Sequence, residues 1–114
     1  MVVDQLPDDH PNKKMGLAFK EAHLKATGVP STDGFSPYAF DAWLVLVDSV
    51  KRALPKAKPG SQEFRAAMRE AIYSTTEVVG THGVYTYRPE SHLGTDRRAL
   101  VLVKLEQGQW KYFK

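Results

Sequence analysis

The sequence predicts an incomplete α/β architecture: three helices followed by a short set of antiparallel strands, with too little sheet to cover the helices. Three observations lead there. Tyr38–Leu54 carries twelve apolar residues among seventeen, and a helix that is apolar almost all round belongs between other layers. After Thr75 the hydrophobic period changes from helical to alternating. The strands that follow are few, yet Trp43, Leu44, Leu46, Val47 and Val50 would each contribute roughly 1.5–3 kcal/mol if buried and nothing if left wet. An isolated monomer is therefore expected to be marginal, and either copies of the chain or a longer parent must supply the cover.

The chain opens with Val2–Leu6, read as an extended segment ended by Pro7 and the turn residues Asp8 and Asp9. A first helix spans about Asn12 to Ala26, closed by Gly28 with Pro30 beyond it. Its apolar face is Met15, Phe19, Ala22 and Ala26, while Leu17 and Leu24 lie opposite among charged residues. The central helix runs over Ser36–Leu54, with Ser36 as N-cap and Pro37 at the first helical position. At 100° per residue Asp41, Asp48 and Arg52 form one narrow line. That line is the face expected to meet water.

Pro55–Gly60 breaks the chain, and a third helix runs from Ser61 as N-cap to about Ser74, with Phe64, Met68, Ala71 and Ile72 inward. Gly83–Arg88 alternates and is rich in aromatics, as a strand does. Ala99–Glu106 is a nearly continuous apolar run, the pattern of a strand buried on both faces. Gln107 and Gly108 suit a tight turn into a last strand, Gln109–Phe113.

Composition sets outer bounds. A chain of 114 residues is at most one domain. The net charge of +3 and pI near 9.2 permit binding to anionic surfaces but do not argue for it, because Lys and Arg are scattered. With no cysteine, disulfides and thiolate chemistry are excluded. No apolar run reaches membrane-spanning length, and MVVDQLPDDHP lacks the form of a secretory signal.

Catalytic motifs are missing too. His10, His23, His82 and His92 sit far apart on different elements, with no metal-ligand spacing, so no metal or cofactor is expected. Neither a phosphate-cradling glycine loop nor a nucleophile elbow occurs, and no nucleophile–base pair assembles, so the chain is not read as an enzyme. Hydrolysis through His82 or His92 is the weakest alternative. Gly80-Thr81-His82-Gly83 joins a helical region to a strand and reads either as a plain turn or as a hinge. Phe35, Tyr38 and Phe40 cluster at the start of the central helix, whose N–H groups and dipole suit a small organic acid.

These residues resemble a family. The run SPYAFDAWLVLVDSVKRAL, with Phe40-Asp41-Ala42 opening a buried helix, is similar to the carboxy-terminal part of branched-chain amino-acid-type periplasmic solute-binding proteins. So are Gly80–Tyr87, a G-x-x-G leading into an aromatic strand, and the closing strands Val101–Phe113 around a Gly turn.

The resemblance implies a parent α/β fold of two lobes joined by three crossovers, with ligand in the cleft between them. On that template residues 1–11 are a crossover remnant and residues 12–79 the helical part of the amino-terminal lobe. Residues 80–88 are the third crossover and residues 89–114 the terminal strands of the other lobe. It further implies a receptor for an ABC importer in the periplasm, partnered by a membrane permease and binding an amino acid or an aromatic or other organic acid. Phe35 and Tyr38 take the ligand-contacting places, Gly80 and Gly83 the hinge. Residues 89–94 depart from the short acidic turn of amino-acid receptors, which leaves the ligand class open. No nucleic-acid partner is expected, and self-association is. The rival is a small autonomous α+β interaction domain that binds nucleic acid, which salt-sensitive oligonucleotide binding would reveal.

Overall fold

The structure is a computed structural model, and it describes residues 2–113. Three helices, α1 (Lys13–Thr27), α2 (Phe35–Ala53) and α3 (Gln62–Tyr73), are followed by four short strands. The strands are β1 (Val78–Val79), β2 (Val84–Tyr85), β3 (Leu102–Glu106) and β4 (Gln109–Phe113). They pair as two separate antiparallel ribbons, β1 with β2 and β3 with β4. The predicted order of helices and then antiparallel strands is the observed one.

The helix ends follow local chemistry. At α1 the chain turns out through Gly28, whose φ of 73° suits a glycine and whose N–H reaches the Leu24 carbonyl at 2.8 Å. At α3 the Ser61 hydroxyl accepts the Phe64 N–H at 3.1 Å, the expected cap. For α2 the cap is Asp33 and not Ser36. Its Oδ1 accepts the N–H groups of Phe35 and Ser36, both at 2.7 Å, so the helix begins ahead of Pro37. A carboxylate outcompetes a hydroxyl here because it also meets the positive end of the helix dipole.

The opening segment is not extended. Val3–Gln5 forms a 3-10 turn because Val3, 2% exposed, lies against Gly16 where any Cβ would collide with it. Lys20 pairs with Asp4 at 2.6 Å and Lys13 with Asp8 at 2.7 Å, holding this turn on α1. Of the predicted α1 face Phe19 is buried, whereas Ala22 and Ala26 are exposed. Leu17 and Leu24 are exposed as well.

The polar line of α2 turns inward at Asp41 and is half-exposed at Asp48 and Arg52. Asp41 is 1% and Ser49 0% exposed, while Trp43 is 54% and Leu46 47% exposed on the apolar side. The reversal has a physical reason: Asp41 meets backbone donors of the Gly80–Tyr85 segment, and Ser49 donates back to the Val45 carbonyl at 2.8 Å. Farther along, Arg52 forks onto Asp48 at 2.7 and 2.9 Å and reaches Ser74 and Thr75 beyond α3. Buried polar groups are tolerated in this way when their hydrogen bonds are made.

The strand predictions shrink. Gly83–Arg88 contributes only Val84–Tyr85 to a ladder, and Ala99–Glu106 divides into the end of a 3-10 turn (Arg97–Ala99) and β3. Every residue of β3 is exposed, contrary to the buried strand its composition predicts. The β3–β4 turn does form as expected, with positive φ at both Gln107 (49°) and Gly108 (76°). This ribbon touches the rest of the chain through the Gln5 amide, which bonds the Trp110 carbonyl and the Tyr112 N–H on the outer edge of β4.

The result is open. The radius of gyration is 16.5 Å, against about 13 Å for a compact domain of this length. The accessible surface is 8122 Å², whereas a folded monomer of this mass exposes about 6,300 Å².

Candidate functional site

The most constrained part of the molecule is the junction between α2 and the turn Gly80-Thr81-His82-Gly83. Asp41, in the second turn of α2, projects its carboxylate into this turn. Oδ1 accepts the Thr81 N–H at 2.6 Å, and Oδ2 accepts the His82 N–H at 2.9 Å and the Tyr85 hydroxyl at 2.8 Å. From the other side Asn12 donates through Nδ2 to the carbonyls of Gly80 (2.9 Å) and Gly83 (2.8 Å). The turn closes on itself through the Gly80 N–H and Gly83 carbonyl at 2.8 Å. Three elements distant in sequence are thereby tied at one point.

Close approach explains both glycines. A Cβ on Gly80 would lie 2.6 Å from Asp41 Cγ and 2.7 Å from the Tyr85 ring, and one on Gly83 would lie 2.9 Å from Thr95 Cγ2. Their backbone angles are not in the left-handed region. Room, and not conformational freedom, selects glycine here.

Electrostatics follow from burial. Burial pushes the Tyr85 phenol well above its ordinary value, and the bond to the Asp41 carboxylate adds to that. Burial also pushes the His82 imidazole below its ordinary value, prevailing over the attraction of Asp41, whose Oδ2 lies 4.0 Å from Nδ1. His82 is thus neutral near pH 7. The Thr81 hydroxyl lies 3.3 Å from the Pro37 carbonyl and 2.9 Å from His82 Nδ1 and bridges the two.

Of the sequence-predicted site residues, Tyr38 joins this junction and Phe35 does not. Tyr38 stacks on His82 with ring centroids 4.0 Å apart and planes 17° from parallel. Phe35 projects from the first turn of α2, 85% exposed. Phe40 turns the other way and packs on Phe19 and Trp43. The start of α2 offers no free pair of N–H groups to an anion, because the Asp33 carboxylate already occupies them. Sequence reasoning missed Asp41 and Asn12 as partners of the glycine turn, and His82 as the ring on which Tyr38 stacks. The available signal was a lone acid early in an otherwise apolar helix.

Other concave regions differ in kind. An apolar groove of about 650 Å³ lies between α3 and the segment after β2, lined by Phe64, Met68, Ile72, Tyr73, Tyr87 and His92 among others. The Glu77–Arg98–Asp96 cluster is an exposed ion network in which Arg98 forks onto both acids at 2.7–3.0 Å. Arg98 holds the Asp96 carboxyl down at about 2. Among the described residues no group of His, Asp and Glu is placed to hold a metal ion, and no helix is long and apolar enough to cross a membrane.

Comparison with known proteins agrees with the architecture. No family model and no curated protein sequence matches the chain. Solved structures do. An extracellular ligand-binding receptor from Rhodopseudomonas palustris superposes over 100% of this chain with a TM-score of 0.87 and 33% identity. One from Rhodopseudomonas palustris HaA2 covers 98% at 0.86 and 32%, and another from the same strain 96% at 0.82 and 28%. This chain spans only 32%, 31% and 30% of those three chains, respectively. Three helices with short antiparallel strands are thus a fragment of the periplasmic binding protein fold, similar to about a third of an extracellular ligand-binding receptor.

Proposed function

We propose that the chain is part of an extracytoplasmic solute-binding receptor for an ABC importer. In this reading it supplies one helical wall of the ligand cleft, a crossover between lobes and the closing strand pair of the second lobe. Residues 12–79 belong to the first lobe, residues 80–88 cross over, and residues 89–114 join the second. The observation that carries the reading is the end-to-end superposition on about a third of a ligand-binding receptor. The excess of about 1,800 Å² over the surface of a compact monomer supports it, being of the size that a large, permanent interface buries per partner.

The cleft wall is the start of α2, where Tyr38 and Phe35 stand exposed. The turn Gly80–Gly83, anchored on the helical side by Asn12 and Asp41, is the fixed end of the hinge, and the backbone beyond Gly83 swings. Solute bridging the two lobes favours the closed form by its differential affinity for it, and the closed form docks on a permease. The solute is an amino acid or an aromatic or other organic acid.

A chimera tests this. The matching third of the Rhodopseudomonas palustris receptor is replaced by this chain, and the product is screened by thermal shift against amino acids and organic acids. The expected result is a monomer whose melting temperature rises with at least one solute. A chimera that fails to fold, or folds and answers to none, overturns the proposal.

A further inference from the structure

The receptor reading gives no task to the groove beside α3. That groove shares no residue with the start of α2, and both of its walls are built. On one side Phe64, Met68 and Ile72 form a row along α3, and Arg65, Arg69 and Tyr73 form the next, at steps of four residues. From Phe64 to Ile72 the helix rises roughly 12 Å, so the groove runs along the helix. On the other side Tyr87 is held by its N–H, which donates to the Thr75 carbonyl at 3.0 Å. Its ring lies over Gly94, where a Cβ would come within 2.5 Å of Cε1. Arg88 and Ser91 exchange backbone bonds at 3.2 and 3.0 Å. The next residue, His92, sets its ring 5.5 Å from that of Tyr73.

Charge distinguishes this groove from ordinary uncovered apolar surface. Arg65 and Arg69 stand one turn apart on its edge, and no acidic side chain lines it. Among the described residues Arg65 makes no ion pair, and the acid beside Arg69 is Glu70, at a long 3.9 Å. The cations flank the first two turns of the groove, whereas Ile72 and Tyr73 line its far end. An occupant that satisfies both ends is anionic at one end and apolar along the rest. The volume of about 650 Å³ lies in the range of small-molecule sites.

We propose that this groove is a second binding site, separate from the cleft between the lobes, for a monocarboxylate with an unbranched alkyl tail. The carboxylate sits between Arg65 and Arg69, whose planar forks match its two oxygens. The tail runs along Met68 and Ile72 toward Tyr73, and Tyr87 and His92 form its outer wall. Residues 89–94 thereby acquire a role, since their turn places His92 on the groove.

The test labels the methionine methyl groups of the 114-residue chain and follows them by NMR. The chain is titrated with decanoate and, separately, with decan-1-ol, each below the concentration at which it aggregates. Met68 lines the groove, and Met15 on α1 is the control. Bare apolar surface favours the alcohol, which is the less soluble of the two. Decanoate should nevertheless shift the Met68 methyl saturably, leave Met15 in place, and bind about threefold or more tighter than the alcohol, as exposed ion pairs allow. The double variant Arg65→Gln, Arg69→Gln should erase that preference while decan-1-ol still shifts Met68. Sodium chloride at about 0.5 M should erase it too. Equal or reversed affinities, or a Met15 shift that matches that of Met68, overturn the proposal. So does a preference that survives the double variant, or that survives the salt where the variant does not fold. The solute screen of the chimera reports on the cleft, so failure here leaves the receptor reading standing.

Discussion

Asp41 shows how a single residue joins distant parts of this chain. A carboxylate 1% exposed is costly unless its oxygens are satisfied, and the three donors that satisfy it come from Thr81, His82 and Tyr85. Asp41→Asn puts an amide N–H against at least one of those donors. It should destabilise the chain by about 3 kcal/mol, measured by urea unfolding followed by circular dichroism. Gly80→Ala meets the same carboxylate and should lose about 1–3 kcal/mol.

Titration gives two further checks at the same scale. Tyr85 is raised by burial and by Asp41, so of the 5 tyrosines one should resist ionisation after the others have titrated, visible in alkaline ultraviolet spectra. His82 is lowered by burial, so the unfolded chain binds its proton first. Its contribution to stability is full above the ordinary imidazole value of 6.5 and is lost as pH falls through the lowered folded value. The melting temperature should therefore drop as pH falls from 6.5 toward the lowered folded value, and His82→Gln should flatten that drop.

At the scale of elements, α2 and the β3–β4 ribbon stand at opposite extremes. α2 is fixed at its start by the Asp33 cap, along its length by Asp41 and near its end by the Arg52 fork. Among the described residues the ribbon's side-chain hydrogen bonds to the helical part come from Gln5, which imitates a neighbouring strand by accepting from Tyr112 N and donating to Trp110 O. Gln5→Ala should leave the helical melt within about 1 kcal/mol of its original position while amide exchange at Tyr112 quickens. Equal protection of Tyr112 in both chains would show that the ribbon is held in some other way.

The whole molecule is extended, 55 × 35 × 21 Å, with apolar surface on α2 and on both faces of the ribbon. Leu102, Leu105 and Trp110 are each at least 60% exposed, beside a strand edge open on β3, and such an edge pairs with another chain when nothing else covers it. In isolation the chain should self-associate at micromolar concentration, seen by light scattering, and Leu105→Lys should weaken the association. A well-folded monomer at that concentration would contradict this. Within the chimeric receptor the same surface is covered by the remaining lobes, and association should disappear.

Much of this was legible in the sequence. Three helices, the Gly28 exit, the Ser61 cap and the Gln107–Gly108 turn are local, and residues a few positions apart decide them. The apolar excess of α2 likewise predicts missing cover without any knowledge of coordinates. Which way α2 turns was not legible, because periodicity separates the two faces of a helix but does not say which one is inside. Tertiary structure decided that Asp41 points inward, since the donors that make its burial tolerable lie 40 or more residues away, and with it the stacking of His82 on Tyr38.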